Sequence, residues 1–173
     1  MIALDSTAFF HAVQSAPRAD RPGDGPEWEA TRRFLDFLRR RGERIIVPNI
    51  VVGEFLQFFH DAADLRLQLS NVIRSGFRLV EFDFDAARHA ADLNQLINRT
   101  QRHDIIRAND LSKQLLKTDF LIVATAMSHG ARGFLAKDRG ILATARAANL
   151  TPYDITALPA DGDYGALFPS HAV

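Results

Sequence analysis

Four acidic residues stand where their carboxylates could act together: Asp5, Glu54, Asp119 and Asp138. Asp5 ends a short apolar run at residues 2–4, and Asp138 follows a second such run at residues 134–136. Carboxylates brought together repel one another and titrate abnormally unless a cation neutralises them. Oxygen ligands suit Mg²⁺ or Mn²⁺, and such an ion can activate water to attack a phosphodiester. These residue types therefore point to metal-dependent phosphodiester hydrolysis.

Each of the four acids also has an ordinary explanation when it is taken alone. Asp119 opens a predicted helix, where the helix dipole favours negative charge, and Asp138 has the position of a turn residue. Glu54 could face solvent, although it lies at the margin of an apolar helix face. Asp5 is the hardest to explain in this way, because a carboxylate in an apolar strand is partly buried and needs a partner. Their joint placement is what favours a site.

Short apolar runs alternate with helical patterns along the chain. Strands are predicted at residues 2–4, 45–47, 79–82, 134–136 and 151–155. Helices are predicted at residues 8–13, 27–41, 50–60, 61–74, 85–97, 118–127 and 141–148. Asn49 and Thr118 are expected to cap two of these helices, Asn109 or Asp110 is expected to cap a further helical stretch, and residues 15–26 are expected to form a loop. This alternation indicates a parallel sheet with helices on both faces, in which ligands bind at the carboxyl ends of the strands.

The composition is that of one ordinary globular domain. The chain has 173 residues, of which 47% are hydrophobic and 24% charged, and this balance argues against disorder. No cysteine is present, which excludes disulfides and zinc–thiolate sites and suits the cytoplasm. No apolar run approaches the roughly 20 residues that span a bilayer, and no signal peptide is apparent. We therefore expect a cytoplasmic protein without a membrane partner.

The charge pattern gives no composition-level support for nucleic-acid binding, because the formal net charge is zero. Basic residues nevertheless cluster in one segment, which contains Arg32, Arg33, Arg39, Arg40, Arg41 and Arg44. Such a cluster is either a solvated helix face or a patch that meets phosphates. Lys117, Lys137 and Arg139 flank the acids, and they could hold the phosphates of a substrate. Ser6 and Thr7 either bind a phosphate or a water at the site, or cap a helix.

Four stretches together resemble the PIN-domain family: LDST near the N-terminus, VPNIVVGEF, KTDFLIVATAMSHGA and GFLAKD. Their order and spacing carry the resemblance, which covers residues 1–155. Residues 156–173 are then expected to form a C-terminal tail that packs on, or trails from, the same domain. The resemblance implies a Rossmann-like α/β/α sandwich with a central parallel sheet of about five strands.

The resemblance also implies an activity and partners. It implies an endoribonuclease that cleaves RNA phosphodiester bonds with water activated by Mg²⁺ or Mn²⁺. Asp5, Glu54, Asp119 and Asp138 would be both the catalytic residues and the metal ligands. Many small bacterial members, in the VapC-like branch, are toxins of toxin–antitoxin pairs. This implies a homodimer that is held by a separate antitoxin protein.

The sequence departs from the family pattern at two positions. Ala136 stands where the family often has a hydroxyl residue, and Thr7 stands where it often has Asn. Losing one hydroxyl contact predicts a weaker metal site, not an abolished one. Two rival functions remain: a catalytically inactive PIN-like module that binds RNA or protein, and a phosphoacceptor receiver domain. The receiver fits least, because receivers pair two adjacent acids after the first strand, and Ser6 follows Asp5 here.

Overall fold

The structure is a computed structural model that describes residues 1–14, 24–97 and 113–168. Five strands form one all-parallel sheet in the order β3-β2-β1-β4-β5. They are β1 (Ile2–Leu4), β2 (Ile45–Pro48), β3 (Arg78–Val80), β4 (Gly133–Ala136) and β5 (Thr151–Asp154). β1 is central, because its residue Ile2 is in register with Ile45 of β2 and with Gly133 of β4.

Seven α-helices lie in the described part of the chain. They are α1 (Ser6–Val13), α2 (Asp24–Arg40), α3 (Asn49–Leu56), α4 (Ala62–Arg74), α5 (Phe84–Leu96), α6 (Lys113–Ser128) and α7 (Arg139–Ala147). Every residue of β1, β2 and β4 is buried. Because successive strand residues point to opposite faces, helices must cover both faces of the sheet. The predicted fold class, a Rossmann-like sandwich around a parallel sheet of about five strands, is confirmed.

The start of α6 differs from the prediction. The helix begins at Lys113, so Thr118 is not its N-cap and Asp119 lies beyond its first turn. Residues 113–117 are Lys, Gln, Leu, Leu and Lys, all good helix formers, which extends the helix toward the N-terminus. The predicted end of the helix is close to the observed one, since Gly130 follows with φ 75°, the left-handed geometry that terminates helices.

Other boundaries shift by smaller amounts. Pro48 occupies the N-cap of α3 and makes no side-chain capping bond, so Asn49 is not the cap but the first helical residue. α3 ends at Leu56, and the predicted loop at 15–26 gives way to helix from Asp24. β3 ends at Val80 instead of residue 82. The predicted caps Asn109 and Asp110 lie outside the described residues.

The chain after β5 packs on α2 and on β5 as far as it is described. Short 3₁₀ turns form at Ile155–Ala157 and Gly165–Leu167. The Tyr164 ring centroid lies 5.1 Å from that of Phe34, and the Phe168 centroid lies 5.4 Å from that of Tyr153. The division of the chain at residue 155 stays a prediction. Among the described helices, none has the length and apolar character needed to cross a membrane.

Candidate functional site

Asp5 comes directly after the central strand, and only 4% of its surface is exposed. Its Oδ1 accepts a hydrogen bond from the Ala8 amide at 2.6 Å, which makes Asp5 the N-cap of α1. Its Oδ2 accepts from the Lys137 amide at 3.1 Å. Burial raises the pKa of Asp5 to about 7, although these two backbone hydrogen bonds oppose the rise. The two hydrogen bonds therefore fix the position of the carboxyl group. Its burial disfavours the charged form unless a cation compensates the charge.

Asp119 lies in α6, and its Oδ2 is buried with no hydrogen-bond partner in the described structure. Leaving a buried polar atom unpaired costs roughly 1–3 kcal/mol, and more for a charged group. Burial, followed by the charges of Asp138, Glu54 and Asp5 in that order, raises the pKa of Asp119 to about 7. Because α6 begins at Lys113, a preference for the helix N-terminus does not account for this carboxylate. A bound cation would supply the missing partner.

Glu54 and Asp138 are held by contacts from neighbouring elements. The Ser6 hydroxyl donates a hydrogen bond to Oε2 of Glu54, so the residue after Asp5 orients the acid on α3. Asp138 is exposed and caps α7, since its Oδ1 accepts from the Gly140 amide at 2.7 Å. Asp5 is therefore the N-cap of α1, whereas the Ser6 hydroxyl donates its hydrogen bond to Glu54.

The other three predicted acids lie within electrostatic reach of Asp119. All three others raise the pKa of Asp119, and Asp138 also raises that of Asp5. In the described residues, however, no three His, Asp or Glu side chains are placed closely enough to hold one ion directly. Asp5 and Glu54 also accept hydrogen bonds from nearby donors.

The donor set nevertheless fits a hard divalent cation. It consists only of oxygens, it carries an unpartnered buried oxygen on Asp119, and its charges are mutually repulsive. Mg²⁺ keeps several waters and needs only one or two direct carboxylates. A site of this kind therefore tolerates acids that stand slightly apart, with water completing the shell.

An ion pair at the edge of the site was not predicted from the sequence. The Lys137 ammonium donates to Oε2 of Glu27 at 2.6 Å and so joins the β4–α7 connection to the first turns of α2. Lys137 was singled out for its position beside Asp138, but Glu27 belongs to no motif and lies 110 residues away. Only the three-dimensional structure reveals this pairing. Lys117 and Arg139 are exposed, as phosphate-binding side chains would need to be.

Comparisons with known proteins agree with this architecture. The sequence profile of the family described as "PIN domain" matches residues 24–147. No curated protein gives a significant sequence match. A chain of VapBC2 from Rickettsia felis, whose crystal structure holds a DNA fragment from their promoter, superposes with a TM-score of 0.58 at 16% identity. The superposition covers 89% of this chain and 98% of that one.

A second solved structure has the same fold. It is a chain of the DNA-bound VapBC from Salmonella typhimurium, with a TM-score of 0.53 and 14% identity. That superposition covers 89% of this chain and 97% of the other. At these identities, the two likenesses establish the fold alone.

Proposed function

Because this chain belongs to the PIN-domain family, whose members are generally nucleases, we propose that it is a metal-dependent endoribonuclease that hydrolyses RNA. The observation that carries the proposal is the buried Oδ2 of Asp119, which has no described partner and stands among three other carboxylates. A folded protein rarely keeps such an arrangement without a ligand to neutralise it. Mg²⁺ or Mn²⁺ is the proposed ligand.

The proposed roles of the four acids follow from their surroundings. Asp5 and Asp119 would bind the ion, Glu54 would bind or orient it, and Asp138 would complete the shell directly or through water. Ser6 would fix the direction of Glu54, as metal sites commonly require of the groups behind their ligands. When bound, the ion would supply an activated water and would offset charge on the leaving oxygen. Arg139, which is exposed beside Asp138, would contact a phosphate of the RNA.

Digestion of RNA with and without EDTA tests the proposal, with Asp5→Asn as the critical variant. We expect the wild type to cleave RNA only when Mg²⁺ or Mn²⁺ is present. Asp5→Asn should lower the rate by more than about 100-fold, since even groups behind the ligands contribute roughly 10–100-fold. Asp92→Asn, an exposed carboxylate on α5, is the matched control and should cleave normally. Equal activity of Asp5→Asn and the wild type would exclude this site.

The inactive PIN-like module is the second candidate, and one observation favours it. In the described residues the acids do not form a ready three-ligand cluster, and both oxygens of Asp5 already accept backbone hydrogen bonds. Calorimetric titration with Mn²⁺ separates the two functions. Saturable binding that Asp119→Asn removes supports the nuclease, whereas no binding in the millimolar range supports the module.

We also propose that the protein acts in the cytoplasm as a homodimeric toxin with an antitoxin partner. The likeness to chains of two VapBC complexes supports a partner of this kind. Large apolar side chains are also exposed along the described segment from α3 to α5, including Phe84 at 84% and Ile73 at 79%. Exposed apolar patches often mark protein contacts. Light scattering of the purified chain alone tests for the homodimer. Light scattering after addition of the product of an adjacent short gene tests for the antitoxin partner.

A further inference from the structure

A concave site lies at the opposite edge of the sheet from the four acids. It is a cavity of about 340 Å³ at the amino ends of β1, β4 and β5, lined by residues that include Ile2, Arg132, Thr151 and Tyr153. β1 has three residues, so at roughly 3.3 Å per residue Ile2 in the cavity lining is about 10 Å from Asp5. Its volume lies at the lower end of the range for small-molecule sites, roughly 300–1,000 Å³.

Two guanidinium groups face this cavity without polar partners. In the described structure, the side chains of Arg41 and Arg132 make no hydrogen bond or ion pair, and both line the cavity. The Arg41 guanidinium lies over two aromatic rings, 5.5 Å from the centroid of Phe37 and 5.1 Å from that of Phe168. Stacking of this kind leaves the N–H groups at the edge of the guanidinium plane available for a planar or tetrahedral anion.

The remaining lining groups shape the charge and the floor of the cavity. Glu43 is the acid of the lining, and it accepts a hydrogen bond from the Met1 amino group at 2.7 Å. The Met1 amino group lowers the pKa of Glu43 most, and the charges of Arg132 and Arg41 lower it further. Because the Met1 ammonium already pairs with this carboxylate, the two arginines leave the lining with a net positive charge. The Tyr153 and Phe168 rings are nearly parallel, at 19°, and they provide an apolar floor.

We propose that this cavity binds a phosphate monoester carried on a small organic body, such as a nucleoside monophosphate. A monoester carries a charge of about −1.5 to −2 at neutral pH, which matches two arginines, and its oxygens accept from guanidinium pairs. The apolar floor would contact the organic body. The inference does not rest on the proposed nuclease activity, because the cavity contains none of the four acids.

Calorimetric titration in EDTA tests the proposal with AMP as the probe. We expect saturable 1:1 binding of AMP, with no binding of adenosine and at least tenfold weaker binding of succinate, a dianion that lacks phosphorus. Arg132→Met and Arg41→Met should each weaken AMP binding by about tenfold or more, since they remove charge-assisted hydrogen bonds. Arg40→Met, an exposed neighbour on α2 outside the cavity, should change binding by less than about twofold.

Several outcomes would overturn the assignment. These are absence of saturable AMP binding by the wild type, equal binding of adenosine or succinate, or an equal loss in Arg40→Met. Thermal unfolding of each variant shows whether it is folded. If Arg41→Met is destabilised by the loss of its aromatic contacts, Arg132→Met alone tests the binding. A 5′-phosphorylated RNA tetranucleotide and its 5′-hydroxyl form then identify the source of the monoester. Phosphate-dependent binding of the tetranucleotide assigns the cavity to RNA ends, and binding of AMP alone assigns it to free nucleotides.

Discussion

The Asp119 carboxylate is placed where its charge opposes folding unless a cation is bound. One of its oxygens is buried and unpartnered in the described structure, and three other acids act on it. We predict that Asp119→Asn raises the free energy of unfolding of the metal-free protein at pH 8 by roughly 1–3 kcal/mol, because it removes a negative charge that burial and three neighbouring acids disfavour. The same change should remove RNA cleavage. Urea denaturation in EDTA and an RNA digestion assay measure the two effects.

Asp92→Asn is the control for this prediction, because Asp92 is exposed on α5. It should change the free energy of unfolding by no more than about 0.5 kcal/mol, as surface substitutions usually do. A destabilised Asp119→Asn would mean that the carboxylate has a structural partner. Sites that trade stability for activity give the opposite result, in which the inactive variant is the more stable one.

The free energy of unfolding should also depend on pH, because Asp5 and Asp119 are harder to ionise in the folded protein than in the unfolded chain. Asp5 and Asp119 have pKa values raised to about 7 in the folded protein, mainly by burial, from the ordinary value of 3.8. The folded state therefore holds protons that the unfolded state has released, and stability is lost as pH rises from about 4 through about 7. We predict that Asp119→Asn and the metal-free wild type differ little at pH 4 and increasingly up to pH 8. A difference that does not change with pH would contradict the raised pKa.

The packing of β4 between its neighbours gives a prediction for the sheet. A Cβ at Gly133 would stand 2.6 Å from Cε2 of Tyr153 and 2.7 Å from Cδ1 of Ile2. Both neighbours are buried, at 7% and 3% exposure, so neither moves easily. We predict that Gly133→Ala lowers the free energy of unfolding by about 1–3 kcal/mol, the usual cost of overpacking. Urea denaturation with circular dichroism detection measures the change.

Gly53→Ala is the matched control for Gly133→Ala. Gly53 lies inside α3, and a Cβ added there would meet nothing within 4 Å. Alanine is favoured over glycine in a helix by about 0.5–1 kcal/mol, so this change should stabilise the protein. If both substitutions shifted stability in the same direction, the close approach at Gly133 would not be the cause.

The elements differ in how well the sequence predicts them. The central strands were found from continuous apolar runs, because residues buried on both faces leave a pattern that needs no tertiary information. The start of α6 was not found, because Thr118 and Asp119 resemble a capped helix start while the preceding residues favour helix too. The third strand was misplaced by two residues at its end, since only Val80 of β3 is buried.

The contacts around the acids could likewise be predicted only in part from the sequence. The four acids were singled out by their positions after strands and in helices, and these positions follow from topology. The partners of these side chains were not found, because the Ser6–Glu54 and Lys137–Glu27 contacts join residues 48 and 110 positions apart. Nothing in a single sequence encodes such a pairing. The roles of the four acids stay predictions until the variants are measured.

At the scale of the whole molecule, a bound ion should couple the site to global stability. The acids come from four different elements or connections: the end of β1, α3, α6 and the β4–α7 connection. Unfolding separates them, so an ion that needs all of them binds only the folded chain. A ligand at 100 times its dissociation constant then stabilises by about 2.7 kcal/mol. For a domain of this size that corresponds to a rise in Tm of about 5–10 °C.

We therefore predict that Mg²⁺ or Mn²⁺ raises the Tm in a saturable way and that EDTA reverses the rise. Asp119→Asn should start from a higher Tm in EDTA and gain little from the ion, while Asp92→Asn should behave as the wild type. Differential scanning calorimetry across a metal titration measures both quantities in one experiment. A shift of equal size in Asp119→Asn would place the ion elsewhere on the surface, and no shift in the wild type would favour the inactive module. The two variants thus distinguish a protein whose four acids bind an ion from one whose acids lie at the edge of the sheet without binding an ion.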